Sequence, residues 1–334
     1  MSRCCGSVYR SRIYYYQIDS DWKFLIAPCM MVRTRPIKAE NSTRGLGGHR
    51  DTLQLHFADE SRAVTSPVLV DVDRRPGVGV VTLNRPERRN AWTVAMQSGY
   101  YAALAELSAS PEVRAIVVTG AAGSFCPGAD VEALTVYTET GTTNPLAADI
   151  EQPEWFPATV PKPMVAAIEG PCAGIGLVQA LMCDVRVAAP DARLSTAFVR
   201  RGLPAMHGGE WLLERLVGAG VAHELLLSGR TVDGSQADRL GVVTECADDP
   251  LERALQIAQD MAERCSPAAM AHVKRQLWST HRRTLAASVS AVDEVVDDFL
   301  SSADVAEGVR SFVERRTPRF AGLAAATPFP GESP

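Results

Sequence analysis

Apolar and polar residues follow a strand-then-helix pattern from residue 67 onwards. β-branched residues dominate Val68–Val72 and Val78–Leu83, and a Pro-Gly turn separates the two runs, which predicts a β-hairpin. The next segment, "TVAMQSGYYAALAELSAS", carries apolar residues at helical spacing. Thr93 at its start is suited to cap the first turn, because its side-chain oxygen can accept a free backbone N–H.

Buried strands alternate with helices through the middle of the chain. The apolar runs at 113–120 and 163–170 each predict a strand, and "DVRVAAPDARLST" predicts two short ones. Strands separated by helical segments indicate crossover connections and a parallel sheet layer. The pattern therefore predicts an α/β fold.

The last third of the chain, from about residue 221, is almost entirely helical in its periodicity. Ser266 followed by Pro267 is typical of a helix start. The predicted helices cover 223–227, 234–240, 251–264, 267–279, 284–299 and 304–315. We accordingly divide the chain into a core at 66–258 and a C-terminal helical region at 259–334.

Residues 1–65 differ from the rest. They hold ten Lys/Arg against six Asp/Glu and show no sustained hydrophobic period. The sequence predicts a mostly disordered leader, or residues upstream of the true start, with Met30 or Met31 as alternative starts.

Composition narrows the class of protein. The 334 residues are 46% hydrophobic and 22% charged, with a net charge of −5, so a large core is expected and a nucleic-acid partner is not. No apolar run reaches the ~18 residues of a membrane span. The eight cysteines are dispersed without a CxxC pair, which predicts reduced, buried thiols and no metal site. We expect a cytoplasmic protein that acts on small molecules and has no membrane partner.

One glycine-rich turn has the pattern of a functional site. "GPCAGIGLVQALMCD", Gly170–Asp184, predicts a tight turn that leads into a short apolar helix. Such a turn aims free backbone N–H groups at a negatively charged atom. Since Gly174–Cys183 contains no carboxylate, any acid or base must come from elsewhere.

Three motifs in a fixed order carry a resemblance. They are "VVTLNRPERRNAW", "TGAAGSFCPGADVEAL" and "KPMVAAIEGPCAGIGLVQALMCDVRVA". Together they resemble the crotonase (enoyl-CoA hydratase/isomerase) family over 67–323. The resemblance implies a spiral of ββα units, a C-terminal helical region that packs trimers or hexamers, and an acyl-CoA thioester ligand. It implies no cofactor beyond the coenzyme A that the substrate carries.

The resemblance also implies an oxyanion hole. The backbone N–H groups of Ala129 and Ile175 would bind the thioester oxygen and stabilise an enolate, and one such donor is typically worth about 10²–10³ in rate. Three glycines, Gly128, Gly174 and Gly176, are expected to let the backbone approach the substrate closely. The other residues expected to line the substrate site are Cys126, Asp130, Val178 and Phe198.

The charged residues near these turns could bind the ligand or could have a structural role. Arg88 and Arg89 could bind the phosphates of coenzyme A, or they could form a solvated basic turn. Asp130 is favoured as the cap of a helix that begins near Val131, rather than as a group in the reaction.

The sequence departs from the family pattern at the residues that transfer protons. Related hydratases carry two glutamates, at the positions of Val178 and Phe198 here, and a positioned acid or base is worth about 10²–10⁴ in rate. We take His207 as the first replacement, because adjacent glycines permit close approach to a ligand, and Glu210 as the second. Further acids within reach in the sequence are Glu132, Asp149, Glu151 and Glu154.

Three functions stay open at this point. The first is an enoyl-CoA hydratase or isomerase of fatty-acid or related acyl-CoA metabolism. The second is a thioester or ring hydrolase on the same fold, with His207 or Glu210 as the base. The third is a non-catalytic acyl-CoA-binding protein that has lost both acids.

Overall fold

The computed structural model describes residues 13–18, 21–26, 66–132, 135, 139, 150–280 and 283–323. The chain forms two units, Met1–Ser61 and Arg62–Pro334. In the first unit, strands β1 (Ile13–Ile18) and β2 (Asp21–Ile26) pair in antiparallel fashion. The sequence pattern predicted no strand there. The other residues of the predicted leader lie outside the described part of the chain.

The second unit is built on a six-stranded sheet, which confirms the predicted α/β fold. The hairpin is present and antiparallel, and the remaining neighbours in the sheet run parallel. The strands are β3 (Val68–Arg75), β4 (Val78–Leu83), β5 (Ala115–Gly120), β6 (Met164–Ile168), β8 (Val185–Ala188) and β11 (Glu245–Cys246). Their order is β11-β8-β6-β5-β4-β3.

A smaller sheet of three short strands holds one of the functional turns. It contains β7 (Pro171–Ala173), β9 (Arg193–Ser195) and β10 (Val232–Asp233), in the order β10-β9-β7. Strands β7 and β9 are parallel, whereas β9 and β10 are antiparallel. Because β7 is followed at once by a helix, this sheet positions the helix start.

The predicted caps are confirmed where local chemistry fixes them. Thr93 accepts the Met96 N–H at the start of the helix Val94–Ala109, and Ser266 accepts the Ala269 N–H at the start of the helix Pro267–Ser279. The helices are α1 (Val94–Ala109), α2 (Phe156–Thr159), α3 (Ile175–Leu181), α4 (Gly209–Ser228), α5 (Gly234–Arg239), α6 (Pro250–Arg264), α7 (Pro267–Ser279), α8 (Leu285–Asp293), α9 (Val296–Leu300) and α10 (Ala303–Glu314).

Two helix predictions were wrong in extent. The helix predicted at 223–227 is the end of the longer α4, whose periodicity is interrupted at Gly218, a residue with φ of 76°. The single helix predicted at 284–299 is two helices, because Val295 leaves helical geometry between α8 and α9, with φ of −123°.

Helices cover both faces of the large sheet. Val80 and Val117 face one side and pack with Ala258 of α6, while Ile116 and its neighbours face the other side. On that second side α1 lies close to β4, and a methyl group on Gly79 would meet Leu107 Cδ2 at 2.8 Å. The sheet is thereby fixed between two helical layers, and the turns of the site follow β5 and β7.

Candidate active site

Two turns run side by side at the centre of the site. The first contains Cys126–Ala129 and the second Cys172–Ile175, and they are joined by backbone hydrogen bonds. The Cys126 N–H donates to the Pro171 carbonyl at 2.9 Å, and the Ala173 N–H donates to the Cys126 carbonyl at 2.9 Å. The two glycine-containing motifs therefore meet in space.

Glycine is required at the closest points between these turns. A methyl group on Gly128 would lie 3.2 Å from the Ala173 carbonyl oxygen, and one on Gly176 would lie 2.3 Å from that of Cys126. Gly128 and Gly174 also have φ of 111° and 52°, a region that side chains disfavour. These glycines hold the two turns against each other, and the approach of their backbone to a substrate stays a prediction.

Each turn carries a backbone N–H that is free within the described structure. Trp92 bonds to the residues on either side of Ala129, donating to the Gly128 carbonyl at 2.8 Å and accepting from the Asp130 N–H at 3.0 Å. Ile175 is the first residue of α3, so its N–H has no acceptor inside the helix. Among the described residues, neither Ala129 nor Ile175 donates its N–H to any group.

Asp130 is held by structural contacts. Its carboxylate accepts the Glu132 N–H at 3.0 Å and pairs with Arg85 at 3.1 Å. The residue is only 7% exposed. This geometry is that of a helix cap with a partly buried counter-ion, and it fixes the chain directly after Ala129.

The two arginines of the first motif have different environments. Arg88 pairs with Glu132 at 2.7 Å on the surface. Arg89 is exposed, and its carbonyl accepts a hydrogen bond from the Ser124 hydroxyl at 2.9 Å. Within the described ranges no group binds the Arg89 guanidinium, which is therefore open to an anionic ligand.

Val178 and Phe198, the positions at which the resemblance implies glutamates in related hydratases, are apolar and buried. Val178 is 2% exposed and Phe198 is 8% exposed. A methyl group on Gly209 would lie 3.1 Å from Val178 Cγ2 and 3.7 Å from Phe198 Cε2. Phe198 also faces the glycine turn, since a methyl group on Gly174 would lie 3.9 Å from its Cε1. Neither side chain can carry a proton.

The structure brings His207 together with a carboxylate. His207 Nδ1 lies 2.9 Å from Glu154 Oε2, and this hydrogen bond lowers the pKa of Glu154. The two residues are 53 positions apart, and no sequence signal paired them. Glu210 is exposed in the first turn of α4. Asp149 lies outside the described residues.

The described residues support neither a reactive Cys126 thiol nor a metal site. Burial raises the pKa of the Cys126 thiol to about 12, so this cysteine is a protonated packing group at neutral pH. Across the described ranges, no cluster of three His, Cys, Asp or Glu side chains is placed to hold a metal ion.

Within the part of the chain that the structure describes, no helix combines the length and apolar character needed to cross a bilayer.

The sheet with its paired glycine turns defines the crotonase fold. A solved enoyl-CoA hydratase from Polaromonas sp. JS666 superposes with a TM-score of 0.70 at 29% identity, covering 76% of this chain and 99% of that one. The family model for enoyl-CoA hydratase/isomerase matches residues 73–323. The chain belongs to the enoyl-CoA hydratase/isomerase family.

Named relatives include more than one reaction type. The chain is 34% identical over 256 residues to the protein named "Probable enoyl-CoA hydratase echA8" of Mycobacterium leprae, covering 76% of this chain and 97% of the relative. It is 32% identical over 253 residues to the 1,2-epoxyphenylacetyl-CoA isomerase of Escherichia coli, covering 74% and 95%. Family membership thus indicates an enzyme of acyl-CoA metabolism without distinguishing the reaction.

Proposed function

We propose that this protein binds an acyl-CoA thioester and stabilises its enolate with the backbone N–H groups of Ala129 and Ile175. The observation that carries the proposal is the pair of adjoining turns, each with one N–H that no described group accepts. Two preorganised donors at a developing negative charge supply much of the catalysis in such reactions. The function needs no cofactor beyond the coenzyme A of the substrate, and we expect it to operate in the cytoplasm.

His207 is the favoured proton-transfer group. It belongs to the loop that leads into Gly209, where an added methyl group would lie 3.1 Å from Val178 Cγ2 and 3.7 Å from Phe198 Cε2. Glu210 is exposed, and no described contact links it to the glycine turns. Because the two carboxylate positions are apolar, the site favours transfer of a proton within the acyl chain over the two-carboxylate addition of water.

Surface features support the expected coenzyme A contact and the expected self-association. Arg89 is the candidate for a coenzyme A phosphate, with Arg88 available only if its pair with Glu132 opens. Apolar side chains on the C-terminal helices are strongly exposed, including Leu285 at 83% and Phe312 at 84%. We expect these helices to be covered by self-association to a trimer or hexamer.

Turnover of two substrates tests the proposed function. The full chain is incubated with crotonyl-CoA, which reports hydration by loss of enoyl absorbance, and with 3-hexenoyl-CoA, which reports isomerisation by its gain. We expect isomerisation to exceed hydration. Absence of both activities together with absence of acyl-CoA binding in calorimetry would overturn the proposal, whereas binding alone would favour the non-catalytic alternative.

A further inference from the structure

The backbone around His207 is held in an uncommon conformation. His207 has φ of 58°, and Gly208 beside it has φ of 74°. A non-glycine residue persists in this region only where the surrounding structure imposes the conformation. His207 lies two residues before Gly209, where an added methyl group would come within 3.1 Å of Val178 Cγ2 and 3.7 Å of Phe198 Cε2.

Glu154 is anchored at the other side of the contact. Its backbone carbonyl accepts the Tyr101 hydroxyl at 2.9 Å, and the Tyr101 ring is buried against Phe156 with 5.4 Å between centroids. The His207 side chain is 6% exposed, whereas that of Glu154 is 55% exposed. Glu154 therefore faces solvent on one side and binds a nearly buried imidazole on the other.

This arrangement determines which imidazole nitrogen is available. A carboxylate accepts hydrogen bonds, so His207 Nδ1 must carry the proton in the 2.9 Å contact. In the neutral ring Nε2 then holds the lone pair. No described residue bonds to Nε2, which leaves that nitrogen free to take a proton from a ligand.

We propose that Glu154 is a positioning residue that holds His207 in the Nδ1–H form, so that Nε2 carries the proton in the reaction. The inference rests on the proposed function. Nε2 takes a proton from the carbon next to the thioester, and the C–H electron pair becomes the enolate. The imidazolium returns the same proton at another carbon of the acyl chain, so no further reactant is consumed.

The tautomer of His207 tests the proposal without any substrate. Long-range proton–nitrogen NMR on the full chain, with His207→Gln used to assign the signal, distinguishes the two nitrogens. We expect the Nδ1–H form in the wild type, retention in Glu154→Asp and loss of the preference in Glu154→Gln. An Nε2–H form in the wild type, or an unchanged tautomer in Glu154→Gln, would overturn the proposal.

Exchange of the substrate hydrogens next to the thioester tests whether the His207 tautomer affects proton transfer. Butyryl-CoA is incubated with protein in heavy water, and deuterium gain next to the thioester is followed by mass spectrometry. We expect at least tenfold slower exchange in Glu154→Gln and His207→Gln, with recovery in Glu154→Asp and unchanged butyryl-CoA affinity. Glu214→Gln removes one exposed charge on α4 and should exchange as the wild type does.

The outcomes separate this inference from the proposed function. Exchange that persists in both Glu154→Gln and His207→Gln would refute the His207–Glu154 pair while supporting the thioester site. Failure of the wild type to bind butyryl-CoA would refute the proposed function, and the NMR result would still decide whether Glu154 fixes the tautomer.

Discussion

Gly176 lies so close to Cys126 that no β-carbon fits between them. A methyl group on Gly176 would come within 2.3 Å of the Cys126 carbonyl oxygen and 2.9 Å of its Sγ. That carbonyl accepts the Ala173 N–H, so it cannot move without breaking the bond that joins the two turns. The placement of the Ala129 and Ile175 N–H groups therefore depends on this glycine.

Gly176→Ala should damage both stability and activity. We expect the free energy of unfolding to fall by about 1–3 kcal/mol, because the added methyl overpacks a backbone contact. Urea unfolding and acyl-CoA turnover measure the two effects. The control is Gly220→Ala in α4, where the added methyl group would meet no atom within 4 Å beyond its own stretch of helix, and a gain of about 0.5–1 kcal/mol is expected. Wild-type stability in Gly176→Ala would show that the contact is not tight.

An ion pair between the partly exposed Asp184 and the buried Lys274 fixes the end of the glycine motif to α7. Asp184 Oδ2 accepts the Met164 N–H at 2.7 Å and binds Lys274 Nζ at 2.7 Å, and the Lys274 side chain is 5% exposed. Asp184→Asn should cost about 3 kcal/mol, since it leaves a buried ammonium without its counter-ion. Chemical denaturation of the variant measures this loss.

A matched double variant tests whether the unpaired Lys274 charge causes the loss of stability. Adding Lys274→Met to Asp184→Asn removes the unpaired charge, so most of the lost stability should return. A double variant that is less stable than Asp184→Asn alone would contradict the account of this pair.

The helix starts and the two glycine turns could be predicted from the sequence, because each depends on residues that are close together in the chain. The caps at Thr93 and Ser266 each need one side chain and one N–H three residues later. The two glycine turns are likewise carried by short motifs. The pairing of His207 with Glu154 was not predictable, because it depends on how the fold brings together residues 53 positions apart.

Cysteine reactivity should follow burial. Cys126, Cys172 and Cys183 are buried thiols, while Cys246 and Cys265 are partly exposed. Iodoacetamide should label the two partly exposed cysteines of the native protein and should leave the three buried thiols unlabelled until urea is added. Peptide mass spectrometry identifies the labelled residues. Rapid native labelling of Cys126 would contradict the packing of the site.

The buried thiols also predict an alkaline loss of stability. Burial raises the pKa of Cys183 to about 12, whereas the same thiol in the unfolded chain ionises at about 8.5. The unfolded state therefore releases its proton first, and this contribution to stability declines as pH rises from about 8.5 towards 12.

The Cys183→Ala variant isolates that contribution. Urea unfolding from pH 7.5 to 10 should give a shallower decline for Cys183→Ala than for the wild type, by up to about 1.4 kcal/mol per pH unit. Parallel curves for the two proteins would show that Cys183 does not carry the effect.

In the proposed function, the Ala129 and Ile175 N–H groups bind the thioester oxygen of the substrate. The most direct test is the infrared carbonyl stretch of butyryl-CoA, isotope-labelled at the thioester carbonyl, free and bound to the full chain. We expect a lower frequency on binding, because two donors polarise the carbonyl. Ile175→Pro removes one N–H at a helix position that accepts proline, and should reverse part of the shift, whereas Ile175→Ala retains the N–H and should keep it. An unshifted carbonyl in the bound wild type would contradict the account.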